Sequence, residues 1–232
     1  MIVTTHLISA PTSALILDMD GTMIDSMPSH ARSWEVFAQR HGVKMDLAEL
    51  MRRTTGRTGT ECMGELFGRS MSAAQALPLV KEKEQIYRDM FAPIFAEVRG
   101  FKAFEEAARA LGLRIAVGTA GDIHNVEFAL THLKMIQAPL AIIRGDMGLP
   151  GKPEPAIFLE AARAISVPAS HTIVFEDAPL GIEAARRADM RAVAICSTHS
   201  AAELAGDHVI VAVKDYEELM AQGFLQSLAL CV

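Results

Sequence analysis

The run Ala14-Leu15-Ile16-Leu17-Asp18-Met19-Asp20-Gly21-Thr22 is nearly all apolar until it breaks into acid and glycine. A short apolar run with that ending reads as a strand of a parallel sheet, buried on both faces and arriving at its carboxyl end. Downstream, from Ser26 to about Glu97, the spacing turns helical. Trp34, Phe37 and Ala38 precede His41-Gly42, Leu79, Ile86 and Met90 follow, and Pro28 and Pro93 lie near the two ends. After Gly100 the pattern alternates. Phe104–Leu111 reads as a helix stopped by Gly112, Arg114–Thr119 as a strand, Ile123–Leu133 as a helix and Leu140–Ile143 as a strand. Glu154–Ile165 follows as a helix introduced by Lys152-Pro153, then Thr172–Glu176 as a strand, Pro179–Ala188 as a helix and Arg191–Ile195 as a strand, with His208–Val213 and Tyr216–Met220 closing the series. Strands alternating with helices of about ten residues imply a parallel sheet covered on both faces. The expected fold is therefore α/β: a doubly wound parallel sheet from residues 1–25 and 98–232, interrupted after its first strand by a helical unit of residues 26–97.

Composition bounds the function. Of 232 residues 50% are hydrophobic and 22% charged, which suits a packed core and not disorder. The net charge of −6 argues against nucleic acid as a partner, since phosphate backbones are bound by basic faces. No apolar run approaches the ~18 residues of a membrane span, and a secretory signal is not expected, since the first ten residues hold no Lys or Arg and no continuous apolar stretch. Three scattered cysteines, Cys62, Cys196 and Cys231, suit a reducing cytoplasm. The helical unit holds ten basic and nine acidic residues, so the acidity belongs to the rest of the chain.

Open parallel sheets bind ligands beyond the carboxyl ends of their strands. Asp18 and Asp20 stand there on the first strand, Thr119 on the second, Glu176-Asp177 on the Thr172–Glu176 strand and Lys152 in the loop before the Glu154 helix. Asp18 and Asp20, two apart on extended backbone, face the same way. For Asp20-Gly21 alone the plainer reading is a turn. The pair is costlier, because unit charges 4 Å apart interact by about 4 kcal/mol at an effective dielectric constant near 20. Glu176-Asp177 repeats the problem, although acids also favour a helix N-terminus, and the two readings are compatible. If both pairs converge, four carboxylates face one lysine, a combination that calls for a divalent cation. All-oxygen ligands point to Mg²⁺. Lys152 is not part of a phosphate-binding GxxxxGK loop, because position 146 is Asp146 and Pro153 follows the lysine. It is either a solvated loop cation or, between prolines 153 and 155, a fixed one. Thr119 alone is an ordinary strand residue. Histidines and cysteines show no zinc spacing, Gly56, Gly59 and Gly64 form no dinucleotide fingerprint, and Met63, Met71 and Met90 read as packing.

In this order, Asp18-Met19-Asp20-Gly21-Thr22, Thr119, Lys152 and Glu176-Asp177 resemble the four motifs of the haloacid dehalogenase superfamily. The helical unit resembles its C1 cap, and Gly151-Lys152-Pro153-Glu154-Pro155 with the stretch from Phe175 to Ala185 resembles its β-phosphoglucomutase-like branch. The resemblance implies an aspartyl-phosphate on Asp18, with Asp20 as general acid and then base. It also implies Mg²⁺ held by the Asp18 carboxylate, the Asp20 carbonyl and Asp177 with Glu176 close by, and phosphoryl oxygens held by Thr119 and Lys152. The dehalogenase branch is not expected, because it lacks the acid found here at Asp20.

Within the branch, His30 and Lys83 fall where the mutase has a cap histidine and lysine. Yet Gly59 stands where it has a cap arginine, with Arg57 two residues earlier, and Gly121-Asp122 where it has serine and lysine. A distal phosphate site so weakened implies hydrolysis of a small sugar or polyol phosphate; a hexose-phosphate mutase is the second reading, and a non-enzymatic binding module the third. His30, Arg57 and Lys83, with Trp34 and Arg88, are candidate substrate contacts, each otherwise an ordinary cap residue. Hinges are expected near Asp25–Ser26 and Pro93–Glu97. The expected partner is a small phosphorylated metabolite, bound by a monomer or weak homodimer. The whole reading requires Asp18 and Asp177 to meet.

Overall fold

The structure, a computed structural model, describes residues 11–229; the first ten residues and Cys231 lie outside the described residues. Strand β1 (Ala14–Leu17) is followed by four helices, α1 (Met27–Arg40), α2 (Leu47–Thr54), α3 (Gly59–Phe67) and α4 (Ala73–Phe91). The chain then runs α5 (Phe101–Ala110), β2 (Arg114–Thr119), α6 (Ile123–Leu133), β3 (Ala141–Arg144), α7 (Ala156–Ala164), β4 (Thr172–Glu176), α8 (Pro179–Arg187) and β5 (Arg191–Ile195). It ends with β6 (Val209–Val213), α9 (Tyr216–Ala221) and α10 (Phe224–Ala229).

The six strands form one sheet in the order β3-β2-β1-β4-β5-β6, every neighbouring pair parallel. The order reverses at β1, so a crevice opens at the carboxyl ends of β1, β2 and β4. Side chains alternate across the sheet as strand geometry demands. Leu15 and Leu17 pack on one face with Phe104, Phe175 and Tyr216, while Ile16 packs on the other with Phe158, Val174 and Ile182. The helical insertion has an apolar cluster of its own around Trp34, Phe37, Leu50, Met63 and Ile86. Its last helix serves both: Ile86 of α4 belongs to that cluster, whereas Tyr87 and Phe91 pack with the sheet.

Local signals place the helix starts. Asp46 and Ser72 accept from the third backbone N–H of α2 and α4, at 3.0 and 3.3 Å, and Asp122 does the same for α6 at 2.9 Å. The helix expected from Glu154 begins two residues later, at Ala156, with Pro155 as its N-cap. Pro155 disfavours helical backbone at the residue before it, so Glu154 stays outside. The helix expected from Phe104 starts earlier, at Phe101, and α10 carried no expectation. The strands entering and leaving the insertion are tied to each other: Asp25 N–H donates to Ala96 O (3.0 Å) and Val98 N–H to Met23 O (3.1 Å). Among the described residues no helix is long and apolar enough to cross a membrane.

Gly145, just past β3, donates its N–H to Gly121 O at 3.1 Å. A Cβ there would run into the Ala120 carbonyl, which is backbone and cannot swing away. Gly145→Ala is expected to cost about 1–3 kcal/mol by overpacking, lowering the melting temperature by roughly 2–12 °C for a domain of this size. Thermal denaturation followed by circular dichroism checks this.

Candidate active site

Register sets the site. Leu17 pairs with Val117 on one side and Phe175 on the other, so the next residues, Asp18 and Glu176, emerge side by side. Asp18 N–H still donates to Phe175 O at 3.0 Å, which holds β1 against β4 one residue beyond the strand. Between the carboxylates lies the Lys152 ammonium, donating to Asp18 Oδ1 at 2.5 Å and Glu176 Oε1 at 2.6 Å. Lys152 is only 1% exposed, and its Nζ also sits 4.9 Å from the Phe158 ring centre. Of the two readings left open by the sequence, the fixed cation holds. The other oxygen of Glu176 accepts from Ala178 N–H at 2.7 Å. Gly181 in the first turn of α8 makes room for this carboxylate, since any Cβ there would overlap it.

Asp177 completes the group. Its Oδ2 accepts from Thr198 Oγ1 at 2.5 Å, and His199 Nδ1 lies 3.0 Å from its carbonyl oxygen. Gly21 adopts φ +79°, a left-handed conformation that a side chain strains, and a Cβ there would collide with the Asp177 carboxylate. Asp18, Glu176 and Asp177 each offer an oxygen within 4.8 Å of the other two, all buried. Three acids against one lysine leave an excess of negative charge. Burial, and then the negative charge of Glu176 and Asp20, pushes the Asp18 carboxyl up to about 8 against the pull of Lys152. Burial and the neighbouring Glu176 and Asp18 likewise raise Asp177 well above the usual carboxylate range. Burial alone would lower Lys152, but Asp18 and Glu176 outweigh it and hold the ammonium charged. Hard oxygen donors lacking positive charge fit Mg²⁺.

Asp20 faces differently. Its Oδ1 accepts from Ser26 Oγ at 2.7 Å and Tyr87 OH at 3.3 Å, and lies 3.1 Å from His30 Nε2. Burial would raise its pKa, yet His30 and Ser26 prevail and lower it. Behind His30 the Lys83 ammonium lies 2.8 Å from Nδ1, so Nδ1 accepts and Nε2 carries the proton toward Asp20. The His30 ring stacks on Tyr87 with centroids 3.7 Å apart, and Lys83 sits 4.7 Å from the Trp34 ring centre. Lys83 also donates to Glu84 at 2.9 Å, and Glu84 accepts from Asn125 at 2.8 Å.

A cavity of about 840 Å³ lies between sheet and insertion, lined by Asp18, Asp20, Thr119, Glu176, Asp177, His30, Trp34, Arg57 and Lys83 among others. Thr119 Oγ1 accepts from Gly121 N–H at 3.0 Å. Lys152 stands behind Asp18, outside the lining, as does Arg88, which donates to Asn125 Oδ1 at 2.7 Å. Arg57 reaches the cavity but lies 3.6 Å from the Glu65 carboxylate. Sequence reasoning missed Ser26, Tyr87, Glu84, Asn125 and Thr198; of these only Ser26, just past the first motif, carried any positional signal.

A family model for haloacid dehalogenase-like hydrolases matches residues 12–189. The validoxylamine A 7'-phosphate phosphatase of Streptomyces hygroscopicus subsp. limoneus is 32% identical over 88% of this chain and 94% of its own length. The fructose-1-phosphate phosphatase of Escherichia coli is 30% identical over 78% of this chain and 95% of its own. In fold the chain superimposes on β-phosphoglucomutase from Clostridium difficile with a TM-score of 0.80 at 22% identity, covering 94% of this chain and 97% of that one. The chain belongs to the haloacid dehalogenase-like hydrolases and is an enzyme of their phosphatase type.

Because Lys152 is hydrogen-bonded to two carboxylates at once, Lys152→Ala leaves both buried without a cation. The expected loss is about 3–5 kcal/mol of unfolding free energy, with part recovered by adding Asp18→Asn, which removes one of the stranded charges. Urea denaturation without divalent cations measures both.

Proposed function

We propose that the chain hydrolyses phosphomonoesters of small sugars or polyols, with Mg²⁺, by way of an aspartyl-phosphate on Asp18. The observation that carries the reading is the division of labour between two acids two residues apart. Asp18 is gripped at Oδ1 by Lys152; among the described residues its Oδ2 has no hydrogen-bond partner, and the residue lines the cavity. That is the posture of a nucleophile, one oxygen held and the other free to attack phosphorus. Asp20 is instead held by Ser26, Tyr87 and His30, all from the insertion or its entry. In this reading Asp20 gives a proton from Oδ2 to the leaving oxygen and later takes one from water there, while Ser26, Tyr87 and His30 Nε2–H hold Oδ1. Thr119 holds a phosphoryl oxygen, and Lys152 acts through Asp18 and not on the phosphoryl group directly. Mg²⁺, held by the carboxylates of Asp18 and Asp177 with Glu176 beside them, would neutralise charge on the phosphoryl oxygens and keep Asp18 ionised. Residues 26–97 form the cap in this proposal, closing over the sheet about hinges near 25–26 and 93–97 and excluding water.

The cavity wall favours hydrolysis over mutase chemistry. Beyond Thr119 it presents Asp122 and Asp146, the first capping α6 and the second accepting from Ile123 N–H at 3.2 Å. Arg57, the cation two residues from Gly59, lies beside Glu65. A bisphosphate would meet two acids there. The insertion's side of the lining mixes apolar Met51, Met63, Leu77 and Val80 with the hydroxyls of Thr54, Thr55, Thr58 and Thr60, which suit an uncharged sugar or polyol.

Steady-state phosphate release from a panel of sugar and polyol phosphates tests the proposal. Asp18→Asn and chelation by EDTA should each bring release to background, and Mg²⁺ should restore the chelated enzyme. Asp20→Asn should lower turnover by about 10²–10⁴-fold. Conversion of β-glucose 1-phosphate to glucose 6-phosphate faster than phosphate release would establish the mutase instead.

A further inference from the structure

Nothing in the reaction as proposed uses Asn125, Glu84 or Arg88, yet these three form a part-buried polar bridge between insertion and sheet. Asn125, in the first turn of α6, is 2% exposed. Its side-chain N–H donates to Glu84 Oε2 at 2.8 Å, and its Oδ1 accepts from Arg88 Nη1 at 2.7 Å. Glu84 and Arg88 are four apart and so lie on one face of α4. The amide thus fits between a carboxylate and a guanidinium, with both its donor and its acceptor side used. Glu84 Oε1 accepts from Lys83, and Lys83 meets His30, which meets Asp20. Arg88 is further steadied by donating to Gln85 Oε1 at 2.8 Å. Lys83 is 2% exposed and stands at the Trp34 ring, so its position is fixed only as well as the Glu84 carboxylate that holds it.

We propose that Asn125 is a positioning residue: by pinning Glu84 and Arg88 of α4 to the sheet's helix α6, it sets Lys83 and His30 in register with Asp20. The proposal rests on the reading of Asp20 as the proton-transferring acid. The same cap is anchored elsewhere by the apolar contacts of Tyr87 and Phe91 and by the hydrogen bonds to Asp20, and an amide between two charged groups adds a contact that fits in one orientation only. Its chemistry is separable from its packing, because exchanging amide and carboxylate across the bridge keeps every hydrogen bond. In the exchanged pair the carboxylate at position 125 faces Arg88 and accepts from the new amide at position 84, whose oxygen still accepts from Lys83.

The test is a swap of N125D, E84Q and the two combined, with two readouts. Trp34 is the chain's single tryptophan and senses Lys83 directly, so its emission, recorded with Mg²⁺ and inorganic phosphate present, reports the bridge without any turnover. The second readout is kcat and KM on the best sugar phosphate. N125D sets two carboxylates against each other; it should shift the Trp34 emission and lower kcat about tenfold or more while KM moves less than about threefold. The combined variant should return the emission to the wild-type spectrum and kcat to within about threefold of wild type. Failure of the swap to restore either readout, or an N125D protein that matches wild type in both, overturns the proposal. A wild-type protein without phosphatase activity overturns the reading of Asp20 but leaves the emission comparison to decide the bridge. Should N125D not fold, N125A and E84Q replace it: a shared bridge requires their combined emission shift and kcat loss to fall short of the sum of the two single effects, and additive losses overturn it.

Discussion

Everything at this site follows from one ammonium group placed between two carboxylates in the floor of the crevice. Lys152 comes from a loop, Asp18 from β1 and Glu176 from β4, so their contact draws three segments distant in sequence to a point. Its electrostatics are unbalanced by design. With Asp177 a third acid joins, and the single lysine cannot neutralise all three. A protein interior does not hold such an excess without a response, either uptake of a proton or recruitment of a cation. The raised Asp18 and Asp177 carboxyls show the first response, and the cluster's shape invites the second. Surrounding details serve to keep these acids aimed in spite of their repulsion. Glycines at 21 and 181 give Asp177 and Glu176 their room, and Thr198 and the Ala178 N–H fix their rotation.

Asp20 lies two residues from that imbalance and escapes it by facing the insertion. Its partners are neutral or cationic, so its charge is stabilised while that of Asp18 is opposed. Opposite displacements of neighbouring carboxyls are the usual mark of groups with different tasks. Here the cause is architectural: the sheet supplies acids to Asp18, and the helices supply donors to Asp20. The insertion is therefore more than a lid, because without it Asp20 would lose Ser26, His30 and Tyr87 together.

The strands that build the floor were legible because they are buried on both faces, which forces continuous apolar runs. Arg114–Thr119, Thr172–Glu176 and Arg191–Ile195 lie where the sequence places them. The polar groups that end those runs were legible for the same reason, since an acid closing an apolar strand is conspicuous. Helix ends were less so: at α7 a proline decided the boundary against the periodicity. Thr198 and Asn125 were illegible in principle. Thr198 reaches Asp177 across 21 residues and Asn125 reaches Glu84 across 41, and neither leaves a local pattern, because a polar residue in a loop or a helix's first turn looks the same whether it faces water or a buried acid. Arg57 and Arg88 show the converse. Both are cations of the insertion, yet one lines the cavity beside Glu65 and the other is tied to Asn125 outside it, a distinction that only the three-dimensional packing makes.

The two polar systems, sheet floor and helical roof, are joined along the chain by the short segment from Asp18 to Ser26, where Gly21 turns it, and across space by the bridge from Asn125 to Glu84 and Arg88. That arrangement makes the first motif a mechanical link as well as a chemical one. Asp18 moves with β1, which is locked between β2 and β4, whereas Asp20 is held on three sides by residues that travel with the helices or their entry. Asp20 is thus tied to the helices and Asp18 to its lysine, on either side of the same short segment. For the proposed reaction, a nucleophile held by the sheet and a proton carrier held by the helices suit a two-step transfer. The first must hold one geometry while the phosphoryl group arrives and leaves, and the second must serve an alcohol in one step and a water molecule in the next.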